Sequence, residues 1–212
     1  MCRNIYLPLL VLAVFLFPAD NLAADTAAGK LTVVQGTVTV KKPGVEKTVA
    51  VGEGDSVLVG DVLQTGKDSR AQMVFTDDSL LNLSSDTALR VNQYIYDPEK
   101  NRRKAIVKLL GGKTRFVIYR ERSADSAFYI ATDKASVTAG IADFAVIALP
   151  EETDVVVFGG GASVKNIFSL AVGEVYIWTN QMTAVKKKMP PSRPSGITSK
   201  QRKDYIRDVS GF

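Results

Sequence analysis

Carboxylates are the side chains in this 212-residue sequence that come closest to a chemical constellation. Asp55, Asp61 and the pair Asp77-Asp78 lie in stretches rich in Gly and Ser. Loop carboxylates ligate hard cations such as calcium, and two of them set roughly 5 to 10 Å apart across a cleft act as acid and base in glycoside cleavage. Neither chemistry finds its pattern here. The Asp-x-Asp-x-Asp-Gly calcium loop is missing, and an Asp at a tight turn is already explained by the bond it makes to its own backbone. The sequence has no His, and its one Cys is Cys2. His-based triads, thiol nucleophiles and the usual zinc sites are therefore excluded. Gly159-Gly160-Gly161 follows an apolar run, but no helical period comes after it. A phosphate-cradling loop needs that helix N-terminus, so these glycines read as a flexible turn. No catalytic residue, cofactor site or metal site is assigned, and the chain reads as a binding protein and not an enzyme.

Two sets of residues suit binding. Tyr94 with Tyr96, and Tyr176 with Trp178, each place two rings on one face of a strand. Such a face stacks on sugar rings, forms a partner interface, or is simply core. Lys186, Lys187 and Lys188 open a tail, residues 186–212, with eight Lys or Arg against two Asp. Exposed, it suits an anionic envelope surface, a cell-wall polymer or an acidic protein; folded back, it docks a short helix on the body of the protein. Lys100 to Lys104, with Arg120-Glu-Arg122, reads as solvated loop. The net charge of the chain is +5 and that of the tail +6, so residues before the tail net −1.

The elements that must position these residues are short strands. Val51-Gly-Glu-Gly-Asp-Ser-Val-Leu-Val-Gly-Asp-Val-Leu-Gln-Thr-Gly66 sets the rhythm. Gly54-Asp55 and Gly60-Asp61 form tight corners around apolar runs, and Thr65-Gly66 closes the second. Strand signals follow at similar spacing. A hairpin is expected at Gln35-Gly36, an exposed hairpin loop at Asn101 to Lys104, and a turn at Gly111-Gly112. Further strands are expected at Phe128–Ile130, Ala135–Thr138, Asp143–Leu149, Val155–Phe158, Ala162–Lys165, Phe168–Leu170 and Glu174–Trp178. Before residue 190 no segment sustains a 3.6-residue apolar period, which predicts an all-β fold of many short strands, a curled sandwich or a solenoid-like stack. Met189-Pro-Pro-Ser-Arg-Pro194 must be extended. Thr198 or Ser199 caps a predicted helix over Lys200 to Val209.

Arg3 followed by the uncharged run Ile5 to Phe17 and by Leu22-Ala23-Ala24 has the form of a secretory leader cut before Asp25. A periplasmic chain is expected, without a membrane anchor after cleavage and without nucleic acid as a partner. Three regions are expected: leader 1–24, β domain 25–185 and basic Pro-containing tail 186–212.

The order of motifs resembles the FecR domain, a periplasmic module of iron-dicitrate signalling regulators. The resemblance rests on Gly36-Thr-Val38, Gly60-Asp-Val-Leu-Gln-Thr-Gly66 with Asp68-Ser69-Arg-Ala71, and Asp77-Asp-Ser79. Gly112-Lys-Thr-Arg-Phe116, Val137 to Val146 through Gly140, Gly161 to Lys165, and Leu170-Ala-Val-Gly173-Glu174 complete it. It covers roughly residues 29 to 180. Ile141 stands where the family has Thr after Gly140, and Asp78 where it has Gly, so those corners are expected to differ in geometry. The resemblance implies a non-catalytic binding module, with an envelope protein as partner in signalling or scaffolding. The residues themselves leave a carbohydrate- or peptidoglycan-binding module as the alternative.

Overall fold

The computed structural model describes residues 26–120, 126–168 and 173–210. The expected leader, residues 1–24, lies outside them. Fifteen strands and one helix make up the described chain. They are β1 Ala27–Gln35, β2 Val38–Lys41, β3 Thr48–Ala50, β4 Ser56–Leu58, β5 Val62–Thr65, β6 Arg70–Phe75, β7 Leu80–Leu83 and β8 Ala88–Asp97. Then come β9 Arg102–Ile118, β10 Ala127–Ala131, β11 Ala135–Ala148, β12 Glu152–Asn166, β13 Glu174–Trp178, β14 Gln181–Lys186, β15 Ser195–Gly196 and α1 Ser199–Ser210. The all-β fold expected from the sequence is present, with a short C-terminal helix.

Three strands are not short. β9, β11 and β12 run 17, 14 and 15 residues. Each passes through two layers. In the front layer the order is β3–β2–β5–β8–β9–β10–β11–β12–β13; in the back layer it is β4–β1–β6–β7–β9–β11–β12–β14–β15. β10 lies parallel to β9 and antiparallel to β11, and only the front layer contains it. In the back layer β9 pairs with β11 directly. The edges stay open, so the sheet never closes into a barrel.

The chain changes layer at glycines. Gly112 (φ 91°) and Gly160 (φ 76°) adopt the left-handed backbone that L side chains resist. A Cβ on Gly160 would lie 2.4 Å from the Ile141 carbonyl oxygen, and one on Gly112 would lie 2.4 Å from Thr87 Oγ1. The expected turns at 111–112 and 159–161 are therefore bends inside continuous strands. Sequence periodicity breaks at both, because apolar positions switch from one layer's inner face to the other's. Gln35-Gly36 departs from expectation in the opposite sense. β1 pairs with β4 and β6, and β2 with β3 and β5, so the chain crosses between layers there and forms no hairpin.

The core fills the space between the layers. Phe75 of the back layer stacks on Tyr94 of the front, with centroids 5.0 Å apart, and Phe128 meets both Phe75 and Phe116 edge-on at 5.3 and 5.5 Å. Phe116 stacks on Phe144 at 5.4 Å.

The helix covers the outer face of the back layer. Val209 is buried against Ala145, Val156 and Phe158, with Met182, Ile197, Tyr205 and Ile206 around them. This explains why Val155 to Phe158 are all buried: one side of β12 meets the core and the other meets α1. Gln201 N–H donates to Thr198 Oγ1 at 3.2 Å, and Thr198 N–H donates to Gln201 Oε1 at 2.9 Å, a reciprocal N-terminal cap. Arg115 and Arg202 lie over Phe158 at 5.6 and 5.5 Å. Arg115 also grips Asp143 with two bonds of 2.7 Å, and Lys113 pairs with Asp208 at 2.6 Å. The basic tail is thus folded back on the β domain, with β15 on the edge of β14. Phe168 lies in a bend, and the rest of the strand expected over 168–170 falls outside the described residues.

Replacing Gly160 with Ala forces a side chain into the left-handed region against backbone, and should cost about 1–3 kcal/mol in urea unfolding. Gly140→Ala, with nothing within 4 Å of the added Cβ, should stay within about 0.5 kcal/mol of the parent. Asp154, on the helix side of β12, has its carboxyl pushed up to about 6 by burial and then by Glu152. A raised carboxyl favours the folded state while protonated, and that contribution fades as pH rises through about 6. Asp154→Asn should therefore raise Tm at about pH 7.5 and leave it nearly unchanged at about pH 4, in a thermal melt followed by circular dichroism.

Candidate binding face

Several of the turn residues chosen from the sequence lie at corners. Gly54 and Gly60 have φ of 88° and 94°. Asp55 Oδ2 accepts from Gly52 N–H at 2.8 Å, closing its own corner. Asp61 is buried; its Oδ2 accepts from Leu58 N–H at 2.9 Å and from Lys42 Nζ at 2.8 Å. Thr65 Oγ1 donates to Ser84 O at 2.5 Å and accepts from Thr87 N–H at 3.0 Å. Gly66 N–H donates to Thr37 O at 2.9 Å. These bonds stitch β5 to its neighbours and leave no carboxylate pair facing a cleft. Among the described residues no group of three or more Asp, Glu, His or Cys is placed to hold a metal.

Gly140 departs from expectation. It lies inside β11 beside a register break, exposed, with a backbone outside the left-handed region. Gly160 takes the strained conformation instead. Gly173 precedes β13, and Glu174 begins it, accepting from Ser163 Oγ and pairing with Lys165 Nζ at 3.1 Å.

The two aromatic pairs separate. Tyr94 is 3% exposed, and Tyr96 packs against the same core. Both rings point between the layers and not onto an outer face. The Tyr94 hydroxyl donates to Asp77 Oδ1 at 2.6 Å, and Arg103 Nη1 donates to Asp77 Oδ2 at 2.5 Å. Ser79 N–H adds a bond of 3.1 Å, and the Arg103 guanidinium lies 5.3 Å from the Phe128 centroid. Arg103, expected in a solvated loop, is 2% exposed and among the largest fully buried side chains. The signal available for it was strand alternation: Arg103, Ala105, Val107 and Leu109 share one parity on β9 and all point inward. Burial alone would raise the Asp77 carboxyl; bonds from Tyr94 and Arg103, the Arg103 charge and the Ser79 N–H outweigh it and hold the group below 3.8.

Tyr176 and Trp178 are both 59% exposed and stack at 5.9 Å. Trp178 lies flat on Gly161, where a Cβ would come within 2.7 Å of the indole. Cross-strand register extends this pair into a band across the outer face of the front layer. Gln93, Ile106, Tyr129, Thr138, Ser163 and Tyr176 form one row over six strands. The inward row beside it reads Tyr94, Ala105, Phe128, Ala139, Ala162 and Ile177, all buried. Tyr129 and Ile95 are also exposed. Sequence reading found the Tyr176 end of this band and missed Tyr129, whose row neighbours are distant in the chain. Lys186 at the end of β14 and Lys187 and Lys188 on the turn after it stay exposed, away from the band and without an ion pair to any described residue.

Asp77→Ala or Arg103→Met, each leaving one buried charge alone, should cost about 3–5 kcal/mol, and Tyr94→Phe about 1–3 kcal/mol, by urea unfolding. The depressed Asp77 carboxyl contributes stability that is present above 3.8 and lost as pH falls through its lower folded value. Asp77→Asn should flatten the acid limb of stability against pH.

Comparison with known proteins agrees with this architecture. Residues 61–163 match the family model described as FecR protein. Two crystal structures of a "putative anti-sigma factor" from Parabacteroides distasonis superpose with TM-scores of 0.55 and 0.56, at 17% and 16% identity. Each alignment covers 69% of this chain and 64% of that one, so the chain spans under two thirds of that protein's length. At that identity the likeness is one of fold. No curated protein matches the sequence. The matched segment begins at Asp61 and holds the Asp77–Arg103–Tyr94 network and all three layer-crossing strands up to Ser163: the chain carries a FecR domain.

Proposed function

We propose that this chain is a non-catalytic FecR-type module of the bacterial envelope that binds a protein partner in signalling or scaffolding. The observation that carries the reading is the asymmetry of the two outer faces. The back layer has its apolar outer surface covered by α1, whereas the front layer leaves Tyr129, Tyr176, Trp178 and Ile95 in water. Clustered exposed rings are what protein interfaces use as anchors. The paired layers hold that face without needing a ligand for its shape. The family match supports a regulatory, non-enzymatic role, and the leader expected at residues 1–24 supports work outside the cytoplasm.

The test is co-purification of tagged mature protein from envelope extracts, beside the double variant Tyr129→Ser with Trp178→Ser. A stoichiometric protein that the parent retains and the variant loses is the expected result. Recovery of cell-wall glycan with no stoichiometric protein would overturn the reading. Circular dichroism of the variant should match the parent, since both side chains are exposed.

A further inference from the structure

The charge on the front face indicates the chemistry of its occupant. On β9 the outward positions run Lys104, Ile106, Lys108. On β8, Ile95 lies opposite Lys104 and Arg90 opposite Lys108. Arg90, Lys104 and Lys108 are exposed and make no ion pair with any described residue. Three cations thus bracket the apolar pair Ile95 and Ile106, next to Tyr129 on β10. In the row Arg90, Lys108, Ala131, Ser136, Lys165 and Glu174, the carboxylate at the far end is already held by Lys165 and Ser163. The band is therefore basic at the β8–β9 end and aromatic at the β12–β13 end.

An uncharged or basic partner laid on this face would strip water from three cations and give them nothing in return, which disfavours binding. Carboxylates would meet them. Spacing favours a protein over a polyanion: alternate residues of a strand recur at about 7 Å on one face, so Lys104 and Lys108 stand about 13 Å apart with an apolar residue between. An extended chain stacked on the sheet repeats the same alternation, presenting acid, apolar and acid in turn. Resting on the protein-binding reading above, we infer that the front face docks an extended acidic segment of a partner protein. Its carboxylates meet Arg90, Lys104 and Lys108, and its apolar side chains meet Ile95, Ile106 and Tyr129.

The probes are two fluorescein-labelled peptides of equal length, one repeating Glu-Ser-Phe-Ser and one repeating Lys-Ser-Phe-Ser, so that one face of the extended chain presents charge and ring in turn; each is titrated with the mature protein and followed by anisotropy. The Glu peptide should bind, the Lys peptide should not, and added salt should weaken binding. The double variant Lys104→Glu with Lys108→Glu should lose about tenfold or more for the Glu peptide and gain affinity for the Lys peptide. That exchange of preference is an outcome a folding defect cannot produce. Equal binding of both peptides, or indifference to the charge reversal, would overturn the acidic chemistry. So would a response confined to polygalacturonate or to vesicles containing phosphatidylglycerol. Co-purification with the charge-reversed variant keeps the two claims apart. A protein partner retained by that variant and lost by the Tyr129 and Trp178 variant sinks the acidic segment and leaves the protein-binding reading intact.

Discussion

The passage of β9, β11 and β12 through both layers is the constraint on which the rest of the structure depends. Each strand pairs with one set of neighbours before its bend and another after it, so the two layers cannot slide or separate without breaking ladders in both. The bends need glycine: Gly112 and Gly160 have left-handed backbones and carry no space for a Cβ. β10 wedges between β9 and β11 in the front layer alone, which widens that layer there and sets Tyr129 into its outer face.

Between the layers, an ionic pair sits in an aromatic core. Asp77 and Arg103 are both buried, and each is held by further groups: Tyr94 and Ser79 on the carboxylate, the Phe128 ring near the guanidinium. A buried pair of this kind adds little net stability compared with apolar residues of equal shape, yet breaking it is costly. Its geometric effect is to tie the β6–β7 turn to β8 and β9 across the layers.

Much of the fold was legible in the sequence, because its signals are local. Gly-Asp corners, alternating strands and the Thr198 cap each depend on residues a few positions apart, and the structure contains all of them. What was not legible depends on layer change. A strand that bends at Gly111-Gly112 shows the same apolar break as two strands joined by a turn, so β9, β11 and β12 read as pairs of short strands. Arg103 was read by its charge, whereas its parity with Ala105 and Val107 decides its place. Tyr94 and Tyr96 show the same ambiguity from the other side: a pair of rings on one strand face carries no mark of which face is covered. The site was legible only at Tyr176 and Trp178, since Tyr129, Ile106 and Lys104 join them by register and not by sequence distance.

The central claim is that the bare front face, and not the helix-covered back, is where the partner sits. Site-specific photo-crosslinking in cells that express the protein tests it most directly, with the photoreactive residue placed in turn at Thr138, Tyr129 and Tyr176 on the front and at Lys203 and Arg207 on α1. The account predicts that the three front positions capture one and the same protein and that the helix positions do not. Capture of that protein from α1, or from both faces equally, would contradict it.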